Sequence, residues 1–383
     1  MRKDEIKIAL KNLKEKSGSH SPSIVTMLRD VEGLKISVDA CFLSNPYATD
    51  LFMNYLQNEV IKTNKLRSYL EFYPPQNKEI AKTIATAINI SPDYIFVGNG
   101  AIEIIQAIVH RFCTKKICII IPTFSAYYEF IMPGIEVIFY KLIKTEDYIL
   151  NEQDFIDFVQ KNQPDTIVII NPNNPNGDYI NLKKLKTIIE SLAMVENIIL
   201  DESFIHFAFE DDKYELIKYE NWVLEHENLI LVKSMSKDFG VAGLRAGYAV
   251  MQPRKVAMLL NNGYLWNVSG LADYFFKLYS DKTFLNLYEE IRKQYLDVSK
   301  IFYNKLSQIS NIKVLPSKAN FFLIELLHEQ PVFDFCMDLL VDHEVYSRDC
   351  SDKIGLEGKY VRIASRTTEE NEIITKAITK IIS

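Results

Sequence analysis

The stretch SMSKDFGVAGLRAGY, residues 234–248, decides the fold of this 383-residue chain. It continues an apolar run and carries the hydroxyls of Ser234 and Ser236, then Lys237, a glycine-containing turn and Arg245. Hydroxyls and a guanidinium are the groups that a bound phosphate needs. A lysine at a strand end between apolar neighbours can be desolvated, which lowers its pKa and leaves the amine nucleophilic, as Schiff-base chemistry requires. A solvated loop lysine is the alternative interpretation.

Short apolar, β-branched runs alternate with helical patterns around this stretch. They are ICIIIP (117–122), EVIFYKL (136–142), DTIVIINP (165–172), NIILDES (197–203), NLILVKSM (228–235) and RAGYAVM (245–251). Near-continuous apolar strands are typical of a largely parallel sheet covered on both faces. The helical pattern KKLKTIIESLAMV separates the third run from the fourth and makes a βαβ unit. The sequence therefore predicts an α/β fold with a large, mostly parallel sheet.

The C-terminal third has a different pattern. A long helix is expected over about 283–308, followed by short strands and a last helix whose start has a capping box, Thr367 with Glu370. This alternation indicates a smaller α+β domain. The predicted parts are residues 1–70, packing on the small domain or on a partner subunit, the large α/β domain over 71–280, and the small domain over 281–383.

Composition disfavours several classes of protein. The chain is 48% hydrophobic, so it can bury a core, and its net charge of −6 gives no support to nucleic-acid binding or to a basic membrane surface. No apolar run approaches the roughly 18 residues of a membrane span, and the N-terminus lacks the apolar core of a secretory signal. The five cysteines form no C-x-x-C and the histidines no H-E-x-x-H. We expect a cytoplasmic protein without a metal site.

Three further segments carry polar groups next to predicted strands. NPNNPNGDYI (171–180) follows a strand as a rigid polar turn, at the edge where open α/β sheets bind ligands. ILDESFIHF (199–207) ends a strand with Asp201, a carboxylate that needs a cationic partner such as a protonated pyridine nitrogen or an ordinary salt bridge. VGNGAIEII (97–105) leads into a helix whose first N–H groups can hold a phosphate. Glu103 replaces the third glycine of the dinucleotide fingerprint, which disfavours a nicotinamide enzyme.

Together, these segments resemble the fold-type I pyridoxal 5′-phosphate (PLP) enzymes of the class I/II aminotransferase superfamily. In that family the cofactor-binding lysine lies eight residues before the arginine, as Lys237 does before Arg245. The resemblance covers almost the whole chain. It implies the aspartate aminotransferase-like fold, with 71–280 as the PLP-binding domain, and PLP as cofactor. It also implies a homodimer with shared active sites.

The resemblance further implies roles for single residues. Lys237 would be the Schiff-base lysine and proton shuttle, Asp201 would pair with the pyridine nitrogen, and Asn174 would bond the ring hydroxyl. Phe124, in PTFSAYY, would stack on the ring face. Tyr73, in FYPPQ, would reach the cofactor phosphate of the neighbouring subunit. The remaining phosphate contacts would be Gly100, Ala101, Ile102, Ser234, Ser236 and Arg245.

Within the superfamily, the chain resembles threonine-phosphate decarboxylase and histidinol-phosphate aminotransferase. At position 204 the aminotransferases usually have a tyrosine, whereas this chain has Phe204, as the decarboxylase pattern does. The segment around Arg348 also resembles the decarboxylase. A phosphorylated amino acid carries a carboxylate and a phosphate, which call for several guanidiniums. If 362–366 is extended, Arg362 and Arg366 share one face.

The substrate-binding candidates are Arg348, Arg362, Arg366, His20 and Asn45. A surface salt bridge is the alternative for Arg366, and a solvated loop is the alternative for His20. The sequence predicts PLP-dependent decarboxylation of an O-phospho-L-amino acid, of the phosphothreonine or phosphoserine type, to an amino-alcohol phosphate. An aminotransferase acting on a phosphorylated substrate is the alternative function, because the bond held perpendicular to the ring decides the reaction. A non-catalytic, DNA-binding PLP-fold regulator is disfavoured by the lack of a basic N-terminal module.

Overall fold

The computed structural model describes residues 3–18 and 20–382. The helices in this part of the chain are α1 (Lys3–Ser17), α2 (Ile24–Asp30), α3 (Pro46–Tyr55), α4 (Leu66–Glu71), α5 (Asn77–Ile88), α6 (Gly100–Phe112), α7 (Ala126–Glu129), α8 (Glu152–Asn162), α9 (Leu182–Ser191), α10 (Trp222–Glu225), α11 (Pro253–Leu260), α12 (Gly270–Tyr279), α13 (Lys282–Leu306), α14 (Val332–His343) and α15 (Thr368–Ile382). The strands are β1 (Val38–Asp39), β2 (Ile95–Asn99), β3 (Lys116–Ile121), β4 (Glu136–Lys141), β5 (Thr166–Ile170), β6 (Asn197–Asp201), β7 (Leu229–Ser234), β8 (Ala246–Val250), β9 (Ile312–Val314), β10 (Phe321–Leu326), β11 (Val345–Tyr346), β12 (Arg348–Asp349) and β13 (Tyr360–Ala364).

The large sheet has seven strands in the order β2-β8-β7-β6-β5-β3-β4. The pairs from β7 to β4 are parallel, whereas β8 runs antiparallel to β7 and to β2. Every residue of β5, β6 and β7 is buried, as expected for central strands with helices on both faces. The six predicted strands and the α/β class are confirmed.

The direction of these strands positions the polar segments. The carboxyl ends of β3, β5, β6 and β7 lie at one edge of the sheet, because these strands are parallel. Asn99, which ends β2, pairs with Ala246, which begins β8, so α6 starts at the same edge. The segments after β3, β5, β6 and β7 therefore meet there.

A second sheet, of order β12-β13-β10-β9, is antiparallel. Buried residues of α1, α2 and α14, among them Leu10, Met27 and Leu339, share one hydrophobic core with it. The predicted capping box is confirmed, since the Thr367 amide donates to Glu370 Oε2 at 3.1 Å and the Glu370 amide donates to Thr367 Oγ1 at 3.2 Å.

In this second sheet, Arg348 of β12 lies directly opposite Arg362 of β13. Side chains directly opposite each other in a sheet point to the same face. β13 ends at Ala364, so the extended conformation expected up to Arg366 stops two residues short of it. Across the described residues, no helix is both long and apolar enough to span a membrane.

Candidate active site

A cavity of about 240 Å³ lies where the carboxyl edge of the large sheet faces the second sheet. It brings together most of the residues that the sequence singled out. The predicted residues that line it are His20, Ala101, Ile102, Phe124, Asn174, Asp201, Ser234, Ser236, Lys237, Arg245, Arg348 and Arg362. Phe204 also lines it.

Lys237 lies three residues beyond the end of β7 and is held through its main chain. The amide N–H of Asn45 donates to the Lys237 carbonyl at 2.8 Å, and that of Gly240 donates to it at 3.3 Å. Burial, followed by the charges of Arg362 and Arg245, lowers the pKa of Lys237 to about 8. The amine is therefore much closer to its neutral, nucleophilic form at physiological pH than an ordinary lysine is.

Asp201 ends β6 with its carboxylate buried. The Tyr127 hydroxyl donates to Oδ2 at 2.9 Å and the Ser203 amide donates to Oδ1 at 2.9 Å. Neither donor is a cation, and burial is the largest cause raising the pKa of Asp201 above its ordinary value. A protonated pyridine nitrogen would supply the missing positive charge, since a buried carboxylate needs one to stay ionised.

The start of α6 forms a pocket with Arg245. Gly100 has φ +75°, and a Cβ added there would lie 2.4 Å from Arg245 Nη2. The guanidinium therefore lies against the first residue of α6, where a side chain would exclude it. Ser234 and Ser236 line the same cavity, and the Ser236 amide donates to Ser234 Oγ at 3.3 Å. Helix N–H groups, hydroxyls and a guanidinium at one point fit a phosphate.

Asn174 and Arg362 contact each other across the cavity. Arg362 Nη1 donates to Asn174 Oδ1 at 2.7 Å, and Nη2 donates to the Cys41 carbonyl at 2.9 Å. With Oδ1 accepting from Arg362, the Nδ2 donor of Asn174 suits an oxygen acceptor such as the PLP ring hydroxyl. Burial lowers the pKa of Arg362, and both of its bonded acceptors are neutral. The arrangement suits an anion at this guanidinium.

Arg348 is paired with a carboxylate. Its Nη2 donates to Asp352 Oδ1 at 2.8 Å and to Oδ2 at 2.7 Å. The same carboxylate accepts from Lys14 Nζ at 3.0 Å. His20 lies at the rim, with Nε2 3.1 Å from Glu129 Oε2 and its ring 6.4 Å from that of Phe124.

Four predicted site residues are not among those that line this cavity, and one of them, Gly100, begins α6 beside Arg245. Arg366 donates from Nη1 to the Ser44 carbonyl at 3.0 Å and pairs with Glu370 at 3.3 Å, because it follows the end of β13. Asn45 Oδ1 caps α3 by accepting from the Tyr47 amide at 3.1 Å, so its side chain does not reach the cavity and it touches the site through the main chain of Lys237. Tyr73 is 82% exposed.

Sequence reasoning missed several residues of the site, and two of them carry polar groups that affect its chemistry. Tyr127, which bonds Asp201, follows Phe124 by three positions on α7, and that spacing was the available signal. Lys353 lines the cavity from the segment after Arg348. The sequence SRDCSDKIGL does not indicate the direction of this side chain, so Lys353 was harder to predict than Tyr127.

Comparison with known proteins agrees with this geometry. A family model described as aminotransferase class I and II matches residues 43–378. The chain belongs to this family. The resemblance inferred from Lys237 and Arg245 is thereby confirmed, and the family implies dependence on PLP.

Two similar proteins make the comparison within this family more specific. An L-serine phosphate decarboxylase of Campylobacter jejuni is 53% identical over 369 residues, covering 96% of this chain and 95% of the relative. The solved structure of a decarboxylase from Sulfurospirillum multivorans aligns with a TM-score of 0.96 and 42% identity, covering 100% of this chain and 97% of the other.

A third family member represents the other branch. The histidinol-phosphate aminotransferase of Clostridium acetobutylicum aligns with a TM-score of 0.77 and 27% identity, covering 90% of this chain and 99% of that structure. The aspartate aminotransferase-like fold is therefore shared by both branches.

Proposed function

We propose that this protein is a PLP-dependent decarboxylase that converts an O-phospho-L-amino acid into an amino-alcohol phosphate and CO2. The observation that carries the proposal is the pair Arg348 and Arg362, opposite each other on one wall of the cavity that also holds Lys237. Two guanidiniums suit a substrate with two anionic groups. The L-serine phosphate decarboxylase name of the Campylobacter relative supports O-phospho-L-serine as the first substrate to test, before O-phospho-L-threonine.

The residues already described would hold PLP. Gly100, Ala101, Ile102, Ser234, Ser236 and Arg245 would bind its phosphate, Asp201 its pyridine nitrogen and Asn174 its ring hydroxyl, with Phe124 on the ring face. When bound, PLP provides an electron sink for the pair left at the substrate Cα. The protein supplies orientation, charge and a proton.

The reaction needs one proton at Cα for each carboxylate that leaves as CO2. Lys237 is suited to deliver it, because an amine with a pKa of about 8 exchanges a proton readily near neutral pH. Phe124, Phe204 and Leu43 line the cavity with apolar surface. Loss of a charged carboxylate as neutral CO2 is favoured where water is excluded.

The direct test uses purified holoenzyme and O-phospho-L-serine. We expect CO2 release with stoichiometric amino-alcohol phosphate, and no accumulation of pyridoxamine phosphate. The likeness to the Clostridium aminotransferase makes transamination the second candidate. Stoichiometric pyridoxamine phosphate, with turnover that requires a keto acid, would support transamination and contradict decarboxylation.

We further propose a homodimer with shared active sites. Leu70, Phe72, Tyr73 and Trp266 expose large apolar surfaces, and the rings of Tyr73 and Trp266 lie 5.3 Å apart. Such a patch suits a protein interface. The sharing of sites is tested by mixing and refolding two inactive variants, Tyr73→Ala and Lys237→Ala. In a mixed dimer, one chain supplies Lys237 and the other supplies Tyr73 to the same site. Random pairing should restore about a quarter of the wild-type activity. No recovery beyond either variant alone would contradict shared sites.

A further inference from the structure

Lys353 is a buried lysine of the cavity for which the cofactor sites provide no role. It is 8% exposed and lies on a turn, where its amide donates to the Cys350 carbonyl at 3.0 Å and its carbonyl accepts from the Leu356 amide at 3.2 Å. Gly355 has φ +92°, and an added Cβ would lie 3.2 Å from the Pro122 backbone nitrogen. This close approach fixes the turn against the segment that carries Phe124.

The other buried lysines show what Lys353 lacks. Lys233 Nζ donates to Asp238 Oδ2 at 2.6 Å, and Lys255 Nζ donates to Asn197 Oδ1 at 2.7 Å. Within the described residues, Lys353 Nζ has neither a hydrogen bond nor an ion pair. The side chain is largely buried and lines the cavity, so an ammonium without a bonded partner there suits an anion that the protein itself does not supply.

The charges around Lys353 indicate where this anion would lie. Burial, followed by the charge of Arg348, lowers the pKa of Lys353 to about 8. Asp352 and Cys350 oppose this shift, and Arg362 acts in the same direction as Arg348 more weakly. For Lys237, the neighbouring cations are instead Arg362 and Arg245. Arg362 therefore acts on both lysines, whereas Arg348, which lies opposite Arg362 in the second sheet, acts on Lys353.

The contact of Arg362 with Asn174 and the positions of Arg348 and Lys353 in the lining suit two anion sites in the cavity. Arg362 contacts Asn174, which would bond the ring hydroxyl of the cofactor, so Arg362 is suited to the substrate carboxylate near the reacting carbon. Arg348 and Lys353 are suited to a group farther along the substrate. Asp352 is hydrogen-bonded to Arg348. Among the residues that the structure describes, Lys353 has no hydrogen-bonded carboxylate, and Asp352 acts on it through its charge alone.

We propose that the Lys353 ammonium, together with Arg348, binds the phosphate of the substrate and sets the preference for phosphorylated over unphosphorylated amino acids. This inference rests on the proposed function, because it assigns the distal group of that substrate. An ammonium is a good point-charge partner for a phosphate, and a guanidinium adds directed donors.

The test compares Lys353→Met, which keeps the side-chain length without the charge, with Lys353→Arg and the control Lys255→Met. For Lys353→Met holoenzyme we expect the KM for O-phospho-L-serine to rise about 10- to 100-fold, with kcat and cofactor absorbance nearly unchanged. Lys353→Arg should recover much of the affinity. Affinity for L-serine, measured by perturbation of the cofactor absorbance, should not change.

Thermal unfolding separates this role from a structural one. Removal of an unpaired buried charge should raise the melting temperature of Lys353→Met, whereas Lys255→Met, which breaks a hydrogen bond, should lower it. An unchanged KM, or an equal loss of affinity for L-serine, would overturn the proposal. If Lys353→Met does not fold, Lys353→Gln provides the same comparison. If wild-type enzyme binds O-phospho-L-serine without releasing CO2, the proposed function fails, and the binding constants of the variants still test Lys353.

Discussion

Arg348 and Arg362 occupy directly opposed positions on neighbouring antiparallel strands, and both guanidiniums line one cavity. Like charges directly opposite each other in a sheet are destabilising. Asp352 compensates Arg348, whereas the acceptors of Arg362 are the neutral oxygens of Asn174 and Cys41. An anion bound at Arg362 would relieve this repulsion, so the charges that line the cavity suit an anionic substrate.

Replacing Arg362 tests whether its guanidinium binds the anionic substrate. Arg362→Met should raise the KM for O-phospho-L-serine about 10- to 100-fold, because a charge-assisted hydrogen bond to the substrate is lost. Arg366→Met is the matched control, since that guanidinium contacts Ser44 and Glu370 outside the cavity. Its KM should stay within about twofold of the wild-type value. Steady-state kinetics of CO2 release measure both, and equal effects of the two variants would contradict the assignment.

Asp201 provides a second test. Asp201→Asn should lower kcat by about 100-fold or more, because the buried negative charge that would stabilise a protonated pyridine nitrogen is lost while the shape is kept. Tyr127→Phe removes only the hydroxyl that donates to Asp201 Oδ2, and should cost roughly fivefold. Both should be measured with saturating PLP. An Asp201→Asn enzyme as active as Tyr127→Phe would argue against the pairing.

The lowered pKa of Lys237 predicts a pH dependence. Burial and the nearby guanidiniums disfavour the ammonium, so the pKa falls from 10.5 to about 8 and the nucleophilic amine predominates above pH 8. The rate at which apoenzyme recombines with PLP should therefore rise with pH up to about 8 and then level off. Stopped-flow absorbance follows this rate. A rate that continues to rise towards pH 10 would indicate an ordinary lysine.

Phe204 permits a test of the branch. It lines the cavity and packs edge-on against Phe321 at 5.2 Å, so Phe204→Tyr introduces a hydroxyl beside the cofactor site. We expect the pH at which the cofactor absorbance changes to shift, because a donor to the ring hydroxyl alters its acidity. Phe42→Tyr is the control, because Phe42 is another aromatic residue that lines the cavity. Identical titrations of both variants and the wild type would remove Phe204 from the argument.

The large sheet was predictable because its strands are continuous apolar runs. Once they are parallel, their carboxyl ends must meet, so Asn174, Asp201 and Ser234 had to lie together. Local pattern was enough for this half of the cavity. The order of strands and the antiparallel direction of β8 were not specified by pattern.

The half of the cavity formed by the second sheet was predicted less completely. Arg348 and Arg362 meet through the register between β12 and β13, which short strands do not encode in their hydrophobic pattern. Arg366 does not share the face of Arg362 because β13 ends at Ala364. The direction of Lys353 depends on a turn held against Pro122, a contact between residues far apart in sequence.

Borohydride reduction of the PLP-loaded enzyme, followed by peptide mass mapping, tests the central claim that Lys237 is the amine that binds the cofactor covalently. The predicted result is a single reduced phosphopyridoxyl adduct on the peptide containing Lys237, which disappears together with the visible absorbance in Lys237→Ala. Lys255→Met, which replaces a buried lysine whose pKa is also lowered to about 8, should leave the adduct unchanged. An adduct on any other lysine, or none after incubation with excess PLP, would contradict the account.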